Sequence, residues 1–571
     1  MFAVRGVLDC GRRALRVALA LTFLAAGAAH AASPEPASGS RGMVVTPHPA
    51  ATRAGVEVLA SGGNAIDAAI AAAFAIAVCQ PQSTGIGGGA FLLIRLADGR
   101  AFAIDARETA PAAAHPALYT QPGVAPDASR FGGLATATPG LVAGFALALE
   151  QYGTRSLRAS LAPAIELAEH GATLGPHSLR ILEFLRATPL PARFPETARI
   201  QLPPAPIPPG AKLRQPELAA TLRLVARRGP RAFYEGALAQ KIAAAAQASG
   251  GVLTAADLAA YRPLEREPLR GSYRGLELIA FPPPSSGGVT LIETLNVLSG
   301  YDLAASGAGS SLSIHRVTEA LKLTFADRAQ HLGDPAFEEV PAKQLLDPGY
   351  AERLRARIRD DRAGAVPGSA FAVDDAGTAH LSVVDAAGNA VAITQTINGP
   401  YGAWVTVPGT GILLNNEMDD FVTSPEQANQ WGLPGLASAA NRVEAGKRPL
   451  SSMAPLIAVA DGKVRFVAGS NGGPRIITSV LLAFLNAVDW GMDAQEAVSA
   501  PRFHHQWRPD LLELESDVPA DVVEALRARG HAIKVTDEIM TGVEAIAIDP
   551  ATGRMTGGAD PRRDSAAQGL D

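Results

Sequence analysis

Cysteine is almost missing: the chain of 571 residues carries two, Cys10 and Cys79. A disulfide-stapled scaffold is thereby excluded. Cys79 ends an apolar stretch with no histidine near it to activate a thiol, so it reads as a core residue rather than a nucleophile. Beyond the N-terminus no stretch is dense in lysine or arginine, and 55 acidic residues outnumber 50 basic ones. A nucleic-acid partner is therefore not expected. No His-x-His or His-Glu-x-x-His spacing occurs, so no catalytic metal is expected. The glycine run at Gly85–Gly89 is not followed by Gly-Lys-Ser/Thr, which favours a tight turn under close backbone packing over a phosphate loop. No apolar run reaches the roughly 20 residues of a membrane span, and no unit of 20–50 residues repeats. What remains is 47% apolar and 18% charged, the make-up of a large folded chain and not of a disordered one.

The first 31 residues read as a leader. Arg5, Arg12, Arg13 and Arg16 precede an apolar stretch at 17–29, and Ala29-His30-Ala31 is a small-x-small cleavage site. The mature chain is expected to start near Ala32, in the periplasm or outside the cell, with no stable membrane anchor. Asn64 and Asp67 form a helix-start signature before Ala65–Cys79, which predicts a buried helix. Amphipathic helices with Pro-rich breaks are expected over about 140–280, including an irregular loop at 199–211. A structured turn is expected at 282–288, a helix from Ser313 to about Ala329, and a loose, exposed segment over 355–377. The pattern changes at Thr378. Thr378–Asp385 and Ala390–Ile397 alternate as strands do, around a turn at Asp385–Asn389. Pairing Val384 with Ala390 places Thr378 opposite Thr396, and a slip of one residue is the alternative register.

Several of these places can carry chemistry. A threonine behind a glycine can attack the preceding carbonyl by an N→O acyl shift. Hydrolysis of that ester frees an N-terminal threonine whose amine, with an unperturbed pKa of about 7.7–8.0, is a general base beside its own hydroxyl. An ordinary β-branched residue opening a strand fits Gly377-Thr378 equally well. Val464–Gly469 runs into Ser470-Asn471-Gly472-Gly473-Pro474 and a helix predicted for 475–487. The amides of Gly472 and Gly473 suit an oxyanion hole. A plain strand–helix turn, or a nucleophile elbow at Ser470, are the alternatives. Arg107 is a carboxylate clamp or a surface ion pair. The acids of Asn415–Asp420 suit an ammonium and the hydroxyls of Ser451-Ser452 a carboxylate, although such groups also occur in solvated turns. His504 and His505 are adjacent and point to different sides.

Five stretches, GGNAIDAAIA at 62–71, PPPSSGG at 282–288, LLNNEMDDF at 413–421, KRPLSSMAP at 447–455 and PRFHHQW at 501–507, together resemble the γ-glutamyltransferase family of N-terminal nucleophile hydrolases. The resemblance runs in family order from Gly42 to Arg562. It implies an α+β fold, a four-layer αββα sandwich. It implies self-cleavage between Gly377 and Thr378 into a large subunit (32–377) and a small one (378–571) that stay together as a heterodimer. By the same resemblance Thr378 is the nucleophile with Thr396 beside it, and Gly472 and Gly473 form the oxyanion hole. Arg107, Ser451 and Ser452 would bind the donor α-carboxylate; Asn398, Glu417 and Asp420 would bind its α-amino group. Phe421–Gly432 resembles the family's lid, with Trp431 covering the glutamyl group. The implied donor is glutathione or another γ-glutamyl compound. The acyl-enzyme is resolved by water or by the amine of an amino acid or dipeptide, with no cofactor. Ala379 stands where a second Thr is often found, Glu417 where some members have Gln, and Asn471 where Pro is common. Gly399-Pro400-Tyr401 after Asn398 points to a changed acceptor side. Two alternatives stand beside this reading: an acylase for glutaryl, cephalosporin or poly-γ-glutamate substrates, and a non-catalytic secreted binding protein.

Overall fold

Alternating apolar residues build two antiparallel sheets of seven strands each. The computed structural model describes residues 34–208, 210–366, 377–424, 428–433, 439–537 and 541–571. The leader and its cleavage site near Ala32 lie outside the described residues. The first sheet runs in the order Ala37–Gly39, Met555–Ala559, Val543–Ile548, Lys463–Ser470, Leu456–Ala460, Leu276–Ala280, Leu269–Tyr273. The second runs Ala566–Leu570, Gly42–Thr46, Ala379–Asp385, Ala390–Thr396, Gly89–Arg95, Ala101–Ala106, Leu264–Arg266.

Strand alternation decides the layers. Met43, Val45, Phe91, Leu93, Val384 and Ala392 of the second sheet share one core with Leu278, Ala280, Leu456 and Phe466 of the first. Phe91 stacks on Phe281 in that core, with ring centroids 4.1 Å apart. The intervening residues Val44, Leu92, Leu381, Val383, Val391 and Ile393 pack instead against the helices Pro49–Ala60, Ala65–Cys79 and Leu141–Tyr152. Gly287–Leu298 and Arg475–Val488 cover the other face of the first sheet. The result is helix, sheet, sheet, helix, the four layers expected.

The expected helix Ala65–Cys79 is buried along its whole length. Asn64 accepts the Asp67 amide at 2.9 Å and Asp67 accepts the Asn64 amide at 3.0 Å, the reciprocal cap its sequence announces. Cys79 is buried at its end, and burial pushes its thiol up to about 12, so it is a core residue. The glycine run is a turn under close packing. A Cβ at Gly87 would lie 2.1 Å from the Leu413 carbonyl oxygen, and one at Gly88 2.0 Å from that of Thr396.

The segment 355–377 departs from expectation. Its composition is that of a loose loop, yet hydrogen bonds hold its first half. The Ala363 amide donates to the Arg529 carbonyl at 2.7 Å, the Gly364 amide to Glu319 at 2.8 Å, and Lys322 to the Gly364 carbonyl at 3.0 Å. Residues 367–376 lie outside the described residues.

Burial also sets the charge state of the core histidines. His177 is pushed down to about 2 and His380, His504 and His531 to about 3, each by loss of water first. The unfolded chain binds protons at such sites near pH 6.5. Each of these histidines therefore withdraws stability as the pH falls from about 6.5 toward its folded value. Buried acids act in the opposite direction: burial pushes Glu293 up to about 10 and Glu108 and Glu544 to about 8. A single substitution separates the two. His380→Gln is expected to cost about 2 kcal/mol less at pH 5 than at pH 7.5, read from urea midpoints of variant and parent. An equal cost at both pH values would contradict the neutral buried imidazole.

Candidate active site

The strand Ala379–Asp385 pairs with Ala390–Thr396 so that Val384 meets Ala390 and Ala379 meets Gln395. This is the unslipped register, and it puts Thr378 across from Thr396 with their hydroxyl oxygens 2.9 Å apart. The Asn398 amide donates to the same Thr396 hydroxyl at 2.8 Å and anchors it from the other side. The junction before this strand is strained. Gly377 has φ +131° and Thr378 φ +71°, the latter a costly conformation for a β-branched residue. A Cβ at position 377 would lie 1.8 Å from the Asn398 carbonyl oxygen, so glycine is required there. The Thr378 amide is tied to the Ser83 carbonyl at 3.0 Å.

Lys463–Ser470 ends at the predicted glycine turn, and the helix Arg475–Val488 follows Pro474. Gly472 and Gly473 have φ +109° and +56°. Their amides donate to no protein acceptor among the described residues, whereas their carbonyls accept the amides of Arg475 and Ile476. The Asn471 side chain holds the turn from behind, accepting the Gly542 amide at 2.5 Å. Ser470 is not an elbow nucleophile: its hydroxyl donates to the carbonyls of Gly542 and Asn471.

Arg107 leaves the end of the strand Ala101–Ala106 and is buried, not a surface ion pair. Its Nη1 lies 2.6 Å from Glu417 and its Nη2 2.5 Å from Asp420, while its Nε donates to the Pro449 carbonyl at 3.1 Å. Burial disfavours its charge, but Glu417 and then Asp420 outweigh burial and hold the guanidinium more firmly protonated than usual. Burial pushes the Glu417 carboxyl well up, and Arg107 offsets only part of this. The Ser451 and Ser452 hydroxyls stand beside this cluster in a cleft that Arg107, Thr378, Thr396, Asn398, Glu417, Asp420, Trp431 and Gly473 also line. Gly472 lies one residue behind the lining. The cleft leaves only about 20 Å³ of space for water.

One charged lining residue escaped the sequence reading. Arg328, on the helix Ser311–His331, is buried and donates to Ser286 Oγ at 2.8 Å and Ser452 Oγ at 3.0 Å. Burial pulls it down to about 10, with Asp420 resisting. A signal existed: Leu321, Phe325 and Arg328 fall on one helix face, and the first two are core residues. A charge on an apolar stripe is a buried charge with a task.

The lid-like segment is described at 421–424 and 428–432. Trp431 is buried rather than a surface aromatic, and its indole N–H donates to Asn398 Oδ1 at 2.8 Å. Its ring presses on Gly473, where a Cβ would come within 2.5 Å. The Gln430 amide donates to Asp419 at 2.8 Å and Gln506 to the Trp431 carbonyl at 3.0 Å. Beyond Trp431 lies a second cavity of about 210 Å³, walled by Phe131, Phe184, Leu190, Pro400 and Trp404. His504 and His505 do turn apart, to Thr478 and Gln506 and to Asp510 respectively. Among the described residues, one group of histidines and acids is tight enough to share a metal: His315, Glu319 and His531. It does not line the cleft, and Lys322 and the Gly364 amide already occupy the Glu319 oxygens.

Known proteins similar to this chain fall in one family. The sequence model of the gamma-glutamyltranspeptidase family matches residues 51–570. The chain is 41% identical over 533 residues to the glutathione hydrolase proenzyme of Escherichia coli (strain K12), covering 92% of this chain and 91% of that one. It is 43% identical over 540 residues to the Acylase ACY 1 proenzyme of Pseudomonas sp. (strain SE83), covering 93% and 94%. The crystal structure of cephalosporin acylase from Bacillus halodurans is similar at a TM-score of 0.83 and 30% identity, over 95% of this chain and 98% of that one. A family match over most of the length, joined to these relatives, means that the chain belongs to the γ-glutamyltranspeptidase family.

Proposed function

We propose that the chain cuts itself between Gly377 and Thr378 and then transfers γ-glutamyl groups from glutathione and related donors to water or to an amine. The observation that carries this reading is the Thr378 hydroxyl, set against Thr396 in the same cleft as a buried cage of one arginine and two acids. In maturation the Thr378 hydroxyl attacks the Gly377 carbonyl, the C–N bond breaks, and the nitrogen keeps the proton from the hydroxyl. Water hydrolyses the resulting ester, leaving a Gly377 carboxylate and a free Thr378 amine. Backbone strain at Gly377 and Thr378 favours this step.

In catalysis the freed amine takes the Thr378 hydroxyl proton as the oxygen attacks the donor's γ-carbonyl. The Gly472 and Gly473 amides receive the developing oxyanion. The departing amine takes a proton, and the γ-glutamyl ester passes to water, giving glutamate, or to an amino acid or dipeptide amine. The donor's free end is a zwitterion. Its carboxylate takes Arg107, Ser451 and Ser452, and its ammonium takes Asn398, Glu417 and Asp420. The pieces 32–377 and 378–571 would remain one unit, because each sheet is built from strands on both sides of the cut. The leader places the enzyme in the periplasm or outside the cell. Among the described residues no helix is long and apolar enough to cross a membrane.

An acylase reading has support in the similar acylases and in the aromatic cavity beyond Trp431, which suits a bulky amine. The two acids favour the γ-glutamyl reading, since a glutaryl group has no ammonium for them to hold. Two results test it. Thr378→Ala is expected to stay a single chain by intact mass and to release no glutamate from glutathione; a processed, active variant would overturn the nucleophile. Asp420→Asn is expected to raise KM for glutathione about ten- to a hundred-fold, the loss of one charged hydrogen bond, and to leave turnover of a glutaryl anilide within about threefold. Equal losses on both substrates would remove Asp420 from ammonium recognition.

A further inference from the structure

A third cavity, about 570 Å³ in volume, opens away from the catalytic cleft and shares no lining residue with it. Three segments distant in sequence meet there. Arg53 comes from the helix Pro49–Ala60, Arg180 from the helix Pro176–Arg186, and Lys212 from the short strand Lys212–Leu213. Arg563, from the C-terminal part of the chain, adds a fourth cation and lies 2.9 Å from a ring nitrogen of the buried His177. The acid in the lining is Asp564, and its carboxylate is committed elsewhere. It accepts the His177 amide at 2.9 Å, the Ser178 amide at 3.1 Å and the Ser178 hydroxyl at 2.9 Å. Arg562, also at the rim, is committed too, to Glu515 and Asp560. Arg53, Arg180 and Lys212 have no carboxylate within ion-pair distance among the described residues.

The charge balance is unusual for this chain. The whole protein is net acidic, at −5, yet this concavity collects cations from separate segments with no free acid among them. Like charges brought together in a concave surface repel one another, and the walls focus their field. Arg53, Arg180 and Lys212 are exposed to solvent, and all three line one volume that is large enough for a molecule rather than a single ion.

We infer that this cavity is a binding site for a small, multiply charged anion bearing two or more phosphate or carboxylate groups, held by Arg53, Arg180 and Lys212. Arginine forks match both head groups. Because the walls come from chain before Gly377 and after Thr378, such an anion would bridge the two proposed subunits.

The test is isothermal titration of the mature full-length enzyme with pyrophosphate and, separately, citrate, with glutamate saturating the catalytic cleft. Binding of at least one probe is expected, weakening as salt rises. The two arms tell phosphate from carboxylate preference. The variant Arg53→Gln/Arg180→Gln/Lys212→Gln is expected to lose about tenfold in affinity while releasing glutamate from glutathione at the parent rate, which also shows that it folds. If the triple variant does not fold, each single variant is expected to lose about twofold. Parent-like affinity in the folded variants, no binding of either probe, or binding abolished by glutamate in the parent would overturn the proposal.

Discussion

Everything at the cleft depends on the register of one strand. Ala379–Asp385 lies in the middle of the second sheet, paired with Gly42–Thr46 on one side and Ala390–Thr396 on the other. Its side chains alternate between two fully buried environments, the core between the sheets and the helical layer. A slip of one residue would exchange those environments along the whole strand. It would also carry the Thr378 hydroxyl away from Thr396. The Thr378 hydroxyl is thus placed by the burial of Leu381, Val383 and Val384, residues that do not line the cleft. The glycine run supports the same register from the neighbouring strand, since Gly89 pairs with Thr396 and Gly88 packs on its carbonyl.

The charges around that hydroxyl follow from how little water the cleft admits. Arg107 is flanked by three carboxyl groups: Glu417, Asp420 and, at 3.6 Å, Glu108. So many acids cannot all be ionised in a buried space. Burial pushes Glu108 up to about 8, against the pull of Arg107, so it is mostly protonated at neutral pH. Burial pushes Glu417 well up too, and its ionisation then depends on what cation it meets. An arriving ammonium would supply that cation, while the ligand carboxylate would draw on Arg107 and, through Ser452, on Arg328. Recognition of a zwitterion is in this sense an exchange of partners among fixed charges. A ligand with one charge would leave the other half of the cage unpaired, which is how such a site discriminates.

Much of this was legible in the sequence because it rests on local patterns. The Asn64–Asp67 cap, the hairpin after Thr378 and the glycine turn at 472–473 are each encoded within a few residues. Non-local features were less legible. Arg328 lies more than 120 positions from the Ser452 it bonds, and only its place on an apolar helix face betrayed it. Glu108 has no such signature, since nothing local shows that it is buried against Gly89. The segment 355–377 is mostly exposed over its described part, as its composition predicts, but composition does not report the tethering of its first half. Its anchors, Glu319, Lys322 and Arg529, come from two helical regions on either side of it in sequence. The strand order in the sheets, with chain from both sides of Gly377 interleaved, has no local signature at all.

Trp431 lines both the charged cleft and the aromatic cavity and stands between them. One face of the site holds charge, in the Arg107 cage; the cavity on the other side is walled by Phe131, Leu190, Pro400 and Trp404. Trp431 and Asn398 form the partition, joined by the indole hydrogen bond. Asn398 stands at positive φ and is held by the Asn416 carbonyl, so the partition is braced by backbone rather than by the mobile end of a side chain. Asp419 braces it further through the Gln430 amide. A fixed wall of this kind lets the two sides vary independently. On the proposed reading the charged side selects the acyl head group through the acids at 417 and 420, and the apolar side selects the amine through its aromatic lining.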